Sequence, residues 1–231
     1  MSTVLVTGAN RGLGLEFVRQ YAASGWRVIA CCRKPGEAEE LAGLAEMFKS
    51  IAIHALDVAD FEQIDALSRE LCGESIDVLI ANAAVYGDTP ATRFGALDYD
   101  RWLDAFVVNT QSPVKLAEAF LPQLARSEKK LIVPITSLMG SVGDNTSGGS
   151  IIYRSSKAAL NAAMKSMAID MQPRGIGVLI MHPGWVKTDM GGAQAPTEPE
   201  ESIAGMRRVI DGFTLAKTGS FVNFRGQLLP W

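Results

Sequence analysis

TVLVTGANRGLG, residues 3–14, joins a short apolar run to three glycines at positions 8, 12 and 14. The apolar run predicts a buried strand, and the pattern over 13–23 predicts a helix directly after the glycines. Glycine lets a backbone come close to a pyrophosphate, and the N-terminus of a helix offers free N–H groups and a positive dipole. Any tight strand-to-helix turn can carry glycines, but this spacing is a variant of the dinucleotide-binding fingerprint, without the Lys-Ser/Thr pair of a Walker loop. The stretch therefore predicts a strand–turn–helix unit that holds a dinucleotide.

Apolar runs alternate with helical patterns along the rest of the chain. Further strands are predicted over 27–33, 51–58, 76–83, 130–137, 176–183 and 221–224. Further helices are predicted over 37–49, 61–72, 98–126, 151–172 and 200–211. Most of the runs lack polar alternation, which is typical of strands covered on both faces by helices. We therefore predict one α/β domain over 1–231, a Rossmann-type doubly wound parallel sheet of about seven strands with helices on both faces.

Two loops, 138–150 and 189–200, follow predicted strands and are rich in Gly, Ser or Pro. Ligands bind such sheets at the carboxyl ends of the strands. We therefore expect active-site loops near 138–150 and 185–200.

The composition limits the classes of partner and compartment. Of 231 residues, 48% are hydrophobic and 20% are charged, and the net charge of −3 gives no sign of a nucleic-acid or membrane surface. No apolar run approaches the ~20 residues of a membrane span, and the N-terminal residues lack a signal-peptide pattern. The three cysteines at 31, 32 and 72 have no metal-ligand spacing. We expect a cytoplasmic protein with no nucleic-acid partner, no membrane partner and no metal.

The end of the second predicted strand indicates which dinucleotide is bound. An NAD site usually has an acid there to hold the ribose 2′-hydroxyl. Here the strand ends in CCRK at 31–34, and no acid occurs before Glu37. Arg33, or Lys34 beside it, can pair with a 2′-phosphate, and Arg11 in the glycine loop can reach the same group. The charge pattern therefore favours NADP(H) over NAD(H).

Tyr153 and Lys157 stand four residues apart at the start of the predicted helix 151–172, so both side chains project from one face. A lysine cation near a phenol lowers the pKa of the phenol and makes it a usable acid or base near neutrality. Such a pair alone is more often two surface residues. Ser137, however, ends the fifth predicted strand at the same sheet edge, where its hydroxyl can bond a substrate oxygen. The three residues together predict a site for proton transfer.

With these motifs, the chain resembles the short-chain dehydrogenase/reductase family over essentially its whole length. The stretch 139–161 is particularly similar to the carbonyl-reductase-like branch that includes Sniffer and the bacterial C-factor proteins. The resemblance implies an NADP(H)-dependent oxidoreductase that reduces an aldehyde, ketone or quinone. It implies that Tyr153 protonates the substrate oxygen, Ser137 polarises that oxygen, and Lys157 lowers the pKa of Tyr153 and binds the nicotinamide ribose. It also implies that Asn109 holds a water through its main-chain carbonyl.

The resemblance further implies which residues contact the cofactor. They are Thr7, Gly8, Asn10, Arg11, Gly12, Leu13, Gly14, Asp57, Val58, Asn82, Ala83, Tyr153, Lys157, Pro183, Gly184, Val186 and Thr188, and the charge pattern above adds Arg33. Asp57 and Val58 would hold the adenine, and the Val186 backbone and Thr188 hydroxyl would orient the nicotinamide carboxamide. The turn at 81–84 reads Ala-Asn-Ala-Ala where the family has Asn-Asn-Ala-Gly, so we expect the same backbone path with tighter packing on the cofactor.

Pro113 lies inside the predicted helix 98–126, where it removes the N–H that would bond the Asn109 carbonyl. A carbonyl released in this way suits the implied water relay, and the alternative is a kink that only helps the helix wrap the sheet.

The remaining expectations concern substrate and partners. Trp185, Met139, Leu138, Val85 and Tyr86 are candidate pocket walls, and they favour an apolar carbonyl substrate of modest size. By resemblance, helices 98–126 and 151–172 pair with their counterparts in a homodimer or homotetramer. The alternative function is that of a C-factor-like signalling or dinucleotide-binding protein that acts mainly through a partner.

Overall fold

The computed structural model describes residues 1–231, and its core is a seven-stranded sheet in the order β3-β2-β1-β4-β5-β6-β7. Every neighbouring pair of strands is parallel. The strands are β1 Thr3–Thr7, β2 Arg27–Cys32, β3 Ile51–Ala55, β4 Val78–Ala81, β5 Leu131–Pro134, β6 Gly177–His182 and β7 Ser220–Asn223. The order reverses between β1 and β4, and a ligand crevice is expected at such a reversal.

The helices are α1 Gly12–Ala23, α2 Glu39–Met47, α3 Phe61–Glu70, α4 Tyr99–Phe106, α5 Ser112–Ala119, α6 Leu121–Arg126, α7 Ile151–Met171 and α8 Pro199–Asp211. They cover both faces of the sheet. In β1, Val4 and Val6 lie in one apolar cluster with side chains of α1, α2 and α8. Leu5 lies in a second cluster with side chains of α3, α5, α6 and α7. Each aliphatic side chain buried in this way contributes about 1.5–3 kcal/mol. The predicted doubly wound parallel sheet is therefore confirmed.

The prediction of one helix over 98–126 is wrong. Asp98 caps the start of α4, accepting from the Arg101 N–H at 3.0 Å. However, a π-helical turn at Val107–Gln111 separates α4 from α5, and α6 follows as a further short helix. The extra residue in a π turn shifts the register of the backbone bonds, so one continuous α-helical stripe does not form.

Pro113 lies just after this turn, within the first residues of α5. The Ser112 N–H bonds the Val107 carbonyl, five residues back. In that register the carbonyl facing Pro113 belongs to Val108, and Ser112 Oγ donates to it at 2.7 Å. The serine hydroxyl thus supplies the donor that proline lacks. The missing N–H of Pro113 therefore faces the Val108 carbonyl, and the prediction that it releases the Asn109 carbonyl is wrong. The water relay through the Asn109 carbonyl itself stays a prediction.

None of the helices combines the length and the apolar character needed to cross a lipid bilayer. The structure contains no group of three or more His, Cys, Asp or Glu side chains arranged to hold a metal ion.

Candidate active site

The loop between β1 and α1 has a backbone path that favours glycine. Gly8 and Gly12 have φ angles of +66° and +53°, in the left-handed region. A Cβ on Gly14 would lie 2.0 Å from the Gly8 carbonyl oxygen. The first turn of α1 contains no acidic residue, and no side chain caps it. The loop therefore presents backbone close to the cavity and a helix end suited to an anion, and it fits a dinucleotide pyrophosphate.

The turn after β4 is tied to this loop. Thr7 Oγ1 accepts the N–H groups of Asn82 and Ala83 at 3.1 Å each. Asn82 Nδ2 donates to the Thr7 carbonyl at 2.9 Å and to the Gly8 carbonyl at 3.4 Å. Thr7 therefore holds the two loops together at the strand-order reversal.

A cavity of about 870 Å³ follows the carboxyl edge of the sheet. Ser137 and nearly all of the predicted cofactor contacts line it, namely Gly8, Asn10, Arg11, Gly12, Leu13, Arg33, Asp57, Val58, Asn82, Ala83, Tyr153, Lys157, Pro183, Gly184, Val186 and Thr188. Thr7, Gly14 and Asn109 do not line it. Thr7 and Gly14 shape the loop from behind, while Asn109 acts on other residues, as described below. The size is within the range of ligand-binding cavities.

Three basic residues lie near the end of the cavity next to β2. Lys34 Nζ pairs with Glu37 at 3.0 Å, and Arg11 pairs with Asp189 at 3.0 Å. Arg33 lines the cavity, is exposed, and makes no ion pair. Arg33 is therefore the cation most available to an incoming anion at this end.

The catalytic group predicted from the sequence meets at the other end. Tyr153 lies in the first turn of α7 and is 7% exposed. Burial raises the pKa of Tyr153 to about 12, while a hydrogen bond with Ser137 acts in the lowering direction. At this pKa the phenol is protonated at neutral pH.

Lys157, one turn further along α7, is 2% exposed, and its Nζ donates to the Ile135 carbonyl at 2.9 Å. Burial lowers the pKa of Lys157 to about 7. Nζ lies 5.8 Å from the centre of the Tyr153 ring. The pKa of Tyr153 thus moves opposite to the direction predicted from the sequence, because desolvation of the buried phenol is the largest cause.

Asn109 is fully buried in the π-helical turn. Its Nδ2 donates to the Val85 carbonyl at 2.8 Å and to Ser156 Oγ at 2.9 Å, and its Oδ1 accepts the Val85 N–H at 2.9 Å. Ser156 is the residue before Lys157 on α7. The Asn109 side chain therefore joins the segment after β4 to α7.

Sequence reasoning missed Asp88. Its carboxylate accepts the N–H groups of Tyr153 at 2.8 Å and Ile152 at 3.4 Å. Ser150, which directly precedes α7, is left-handed with φ +46° and caps nothing with its side chain. Asp88 caps α7 in its place. No local signal marks it, because capping motifs place the acceptor beside the helix start.

The walls at the catalytic end are mainly apolar and aromatic. Of the predicted walls, Val85, Tyr86, Met139 and Trp185 line the cavity, and Leu138 does not. The Trp185 Nε1 donates to the Gly191 carbonyl at 2.7 Å, which fixes its ring beside the 189–200 loop.

Comparisons with known proteins agree with this geometry. A family model for short chain dehydrogenases matches residues 2–199. The C-signal of Myxococcus xanthus is 41% identical over 166 residues, covering 72% of this chain and 99% of that protein. The 1-hydroxy-2-glutathionyl-2-methyl-3-butene dehydrogenase of Rhodococcus sp. is 36% identical over 235 residues, covering 100% of both chains.

Two solved structures are also similar. Carbonyl reductase Sniffer of D. melanogaster has a TM-score of 0.93 at 35% identity and covers 100% of both chains. An NADPH-bound carbonyl reductase from chicken fatty liver has a TM-score of 0.92 at 33% identity, covering 100% of this chain and 99% of that one.

Fold and site together define a Rossmann-type oxidoreductase. The chain belongs to the short-chain dehydrogenase/reductase family, and the resemblance drawn from its motifs is confirmed.

Proposed function

We propose that the protein is an NADP(H)-dependent oxidoreductase that reduces an aldehyde, ketone or quinone to an alcohol, with Tyr153 as the acid. One observation carries the proposal: Ser137, Tyr153 and Lys157 meet at one end of a single cavity, and the glycine loop and Arg33 line its other end. An acid, a hydroxyl donor and an anion-binding loop in one cavity are what carbonyl reduction by a dinucleotide requires.

The residues present fit the cofactor. The glycine loop and the start of α1 would hold the pyrophosphate, and Arg33 would pair with the 2′-phosphate. Asp57 and Val58 would contact the adenine, and Val186 with Thr188 would orient the carboxamide. When bound, NADPH supplies the hydride that adds to the carbonyl carbon.

The chain itself supplies the proton and the polar contacts. The protonated Tyr153 phenol donates its proton to the substrate oxygen as negative charge develops there. The Ser137 hydroxyl, which lines the same cavity, stabilises the same oxygen. Lys157 has a pKa of about 7, so near neutrality it exchanges a proton readily and can return one towards Tyr153.

The similar structures support this proposal. Sniffer and the chicken protein are both described as carbonyl reductases, and the latter holds NADPH. A second candidate is a signalling or dinucleotide-binding role through a partner, and the 41% identity with C-signal favours it.

A turnover assay separates the two candidates. The purified chain is mixed with NADPH and a panel of aldehydes, ketones and quinones, and oxidation of NADPH is followed. We expect turnover that falls about 10²–10⁴-fold in Tyr153→Phe, the usual contribution of a general acid, while NADPH still binds. Tight NADPH binding with no oxidation on any member of the panel would favour the signalling role.

We also propose a homodimer or homotetramer that pairs through α4–α6 and α7. Tyr99, Leu103 and Ile169 on these helices are 68%, 66% and 60% exposed, and they would be covered by such pairing. Sedimentation that shows only monomer would contradict it.

A further inference from the structure

Tyr86 follows β4 and lies against the catalytic tyrosine. Its ring stacks on that of Tyr153, with ring centres 4.7 Å apart and planes 30° apart. Both rings line the cavity. Stacked aromatic pairs are attractive beyond the area that they bury, by about 0.5–1.5 kcal/mol. One face of the Tyr153 phenol is therefore occupied by protein instead of water.

Tyr86 is held in place through its hydroxyl and through the residues on either side of it in the chain. Its hydroxyl lies 2.9 Å from Ser150 Oγ, at the start of the catalytic helix. Val85, the residue before it, is bonded at both backbone groups by Asn109. Asp88, two residues after it, caps the helix that carries Tyr153. The segment 85–88 thus forms a brace between the π-helical turn and the start of α7.

A phenol in a cavity can turn about its side-chain bonds, and this turning moves its hydroxyl away from the reacting oxygen. A fixed neighbouring ring limits the turning, and a small misplacement of a reacting group slows a reaction greatly. Of the ionisable groups, Tyr86 and Asp88 contact Tyr153, Lys157 Nζ lies 5.8 Å from the centre of its ring, and His182 lines the same cavity. Tyr86 also contributes to the raised pKa of Tyr153.

We propose that Tyr86 is a positioning residue, whose stacked ring holds the Tyr153 phenol where its hydroxyl meets Ser137 and the substrate oxygen. The ring acts through Tyr153 and takes no part in proton transfer itself. This inference rests on the proposed carbonyl reduction.

Two variants of the full chain separate the ring of Tyr86 from its hydroxyl. Tyr86→Leu removes the stack, and Tyr86→Phe keeps the stack but loses the bond to Ser150. With NADPH and either p-nitrobenzaldehyde or menadione, we expect kcat of Tyr86→Leu to fall on the order of tenfold or more, with KM for NADPH little changed. Tyr86→Phe, which keeps the stacked ring, should retain most of the wild-type kcat. Equal losses in the two variants, or a wild-type kcat in a folded Tyr86→Leu, would overturn the proposal.

A second measurement does not depend on turnover. Near-ultraviolet absorbance reports tyrosinate, and subtracting the curve of the same protein with Tyr153→Phe isolates Tyr153. We expect Tyr153 to ionise at lower pH in Tyr86→Leu, because water then reaches the phenol, and to move less in Tyr86→Phe. If the pH at which Tyr153 ionises is the same in Tyr86→Leu as in the wild type, the proposal is contradicted.

The two measurements also separate the positioning role from the proposed reaction. If the wild type reduces no carbonyl compound but Tyr153 still ionises at lower pH in Tyr86→Leu, the proposed reaction is wrong while the contact between the two rings is supported. Should Tyr86→Leu not fold, Tyr86→Met takes its place in both measurements.

Discussion

The side-chain amide of Asn109 bonds both the N–H and the C=O of Val85, as the backbone of a neighbouring strand would. The Asn109 amide donates to the Val85 carbonyl at 2.8 Å and accepts the Val85 N–H at 2.9 Å. A third bond runs from the same amide to Ser156 Oγ at 2.9 Å. The fully buried amide thus provides hydrogen-bond partners for the backbone N–H and C=O of Val85, which lies in a loop with no strand beside it. Asn109 therefore supports the site with its side chain, in addition to the predicted role of its carbonyl.

Asn109→Ala is expected to destabilise the protein. It leaves two partly buried backbone groups of Val85 without their protein partners, and each costs up to about 1–3 kcal/mol. Urea unfolding at neutral pH measures the change in the free energy of unfolding. Asn145→Ala, in the exposed part of the 138–150 loop, is the matched control and should change it by less than about 0.5 kcal/mol. A loss no larger than that of the control would contradict the bracing role of Asn109.

Arg33→Ala is expected to weaken NADPH binding selectively. A charge-assisted bond to the 2′-phosphate is worth about 1.5–3 kcal/mol, so Kd for NADPH should rise roughly tenfold or more. Kd for NADH should stay within about twofold, because NADH has no 2′-phosphate. Lys34→Ala is the matched control, since its ammonium pairs with Glu37. Fluorescence titration of the wild type and both variants with both cofactors gives six constants, and equal weakening for NADH in Arg33→Ala would argue against the NADP(H) assignment.

Lys157 should make stability depend on pH. Burial lowers its pKa from 10.5 to about 7 in the folded chain, while the unfolded chain keeps the ordinary pKa. Between these two values the unfolded state binds a proton that the folded state does not, so this group makes stability rise with pH. The unfavourable contribution of Lys157 to stability is fully present below a pH of about 7 and vanishes above a pH of 10.5.

Lys157→Met tests this dependence by urea unfolding across that pH range without cofactor. The wild type should gain stability relative to Lys157→Met as the pH rises. Lys34→Met, at an exposed position, should run parallel to the wild type. A constant difference between the wild type and Lys157→Met would show that the buried amine keeps its ordinary pKa.

Gly14→Ala is expected to disturb the dinucleotide loop. The added Cβ would lie 2.0 Å from the Gly8 carbonyl oxygen, so the backbone must shift. Overpacking of this kind costs about 1–3 kcal/mol, and NADPH affinity should fall with it. Gly43→Ala, inside α2 with nothing near its Cβ position, should instead stabilise the protein by about 0.5–1 kcal/mol. Thermal unfolding of both variants measures the opposite changes in stability, and NADPH titration measures the loss of affinity in Gly14→Ala.

Local patterns predicted much of this site because its parts follow strands. The strand predicted at 130–137 places Ser137 at the sheet edge, and the helix predicted at 151–172 places Tyr153 and Lys157 on one face. The structure has β5 at Leu131–Pro134 and α7 at Ile151–Met171, close to those bounds. The split of the predicted helix 98–126 was missed, because a π turn depends on a one-residue shift in hydrogen bonding that leaves the apolar spacing almost unchanged.

The sequence by itself determined the doubly wound fold and the glycine loop, and it predicted that Ser137, Tyr153 and Lys157 lie at one sheet edge. Apolar runs, glycines and a four-residue spacing are local properties, and parallel strands bring their carboxyl ends to one edge. Only the tertiary structure decided that Asp88 caps α7 and that Tyr86 stacks on Tyr153. It also decided that burial raises the pKa of Tyr153 and lowers that of Lys157. Capping across the chain, stacking and desolvation depend on which atoms surround a side chain, and residues distant in sequence supply those atoms.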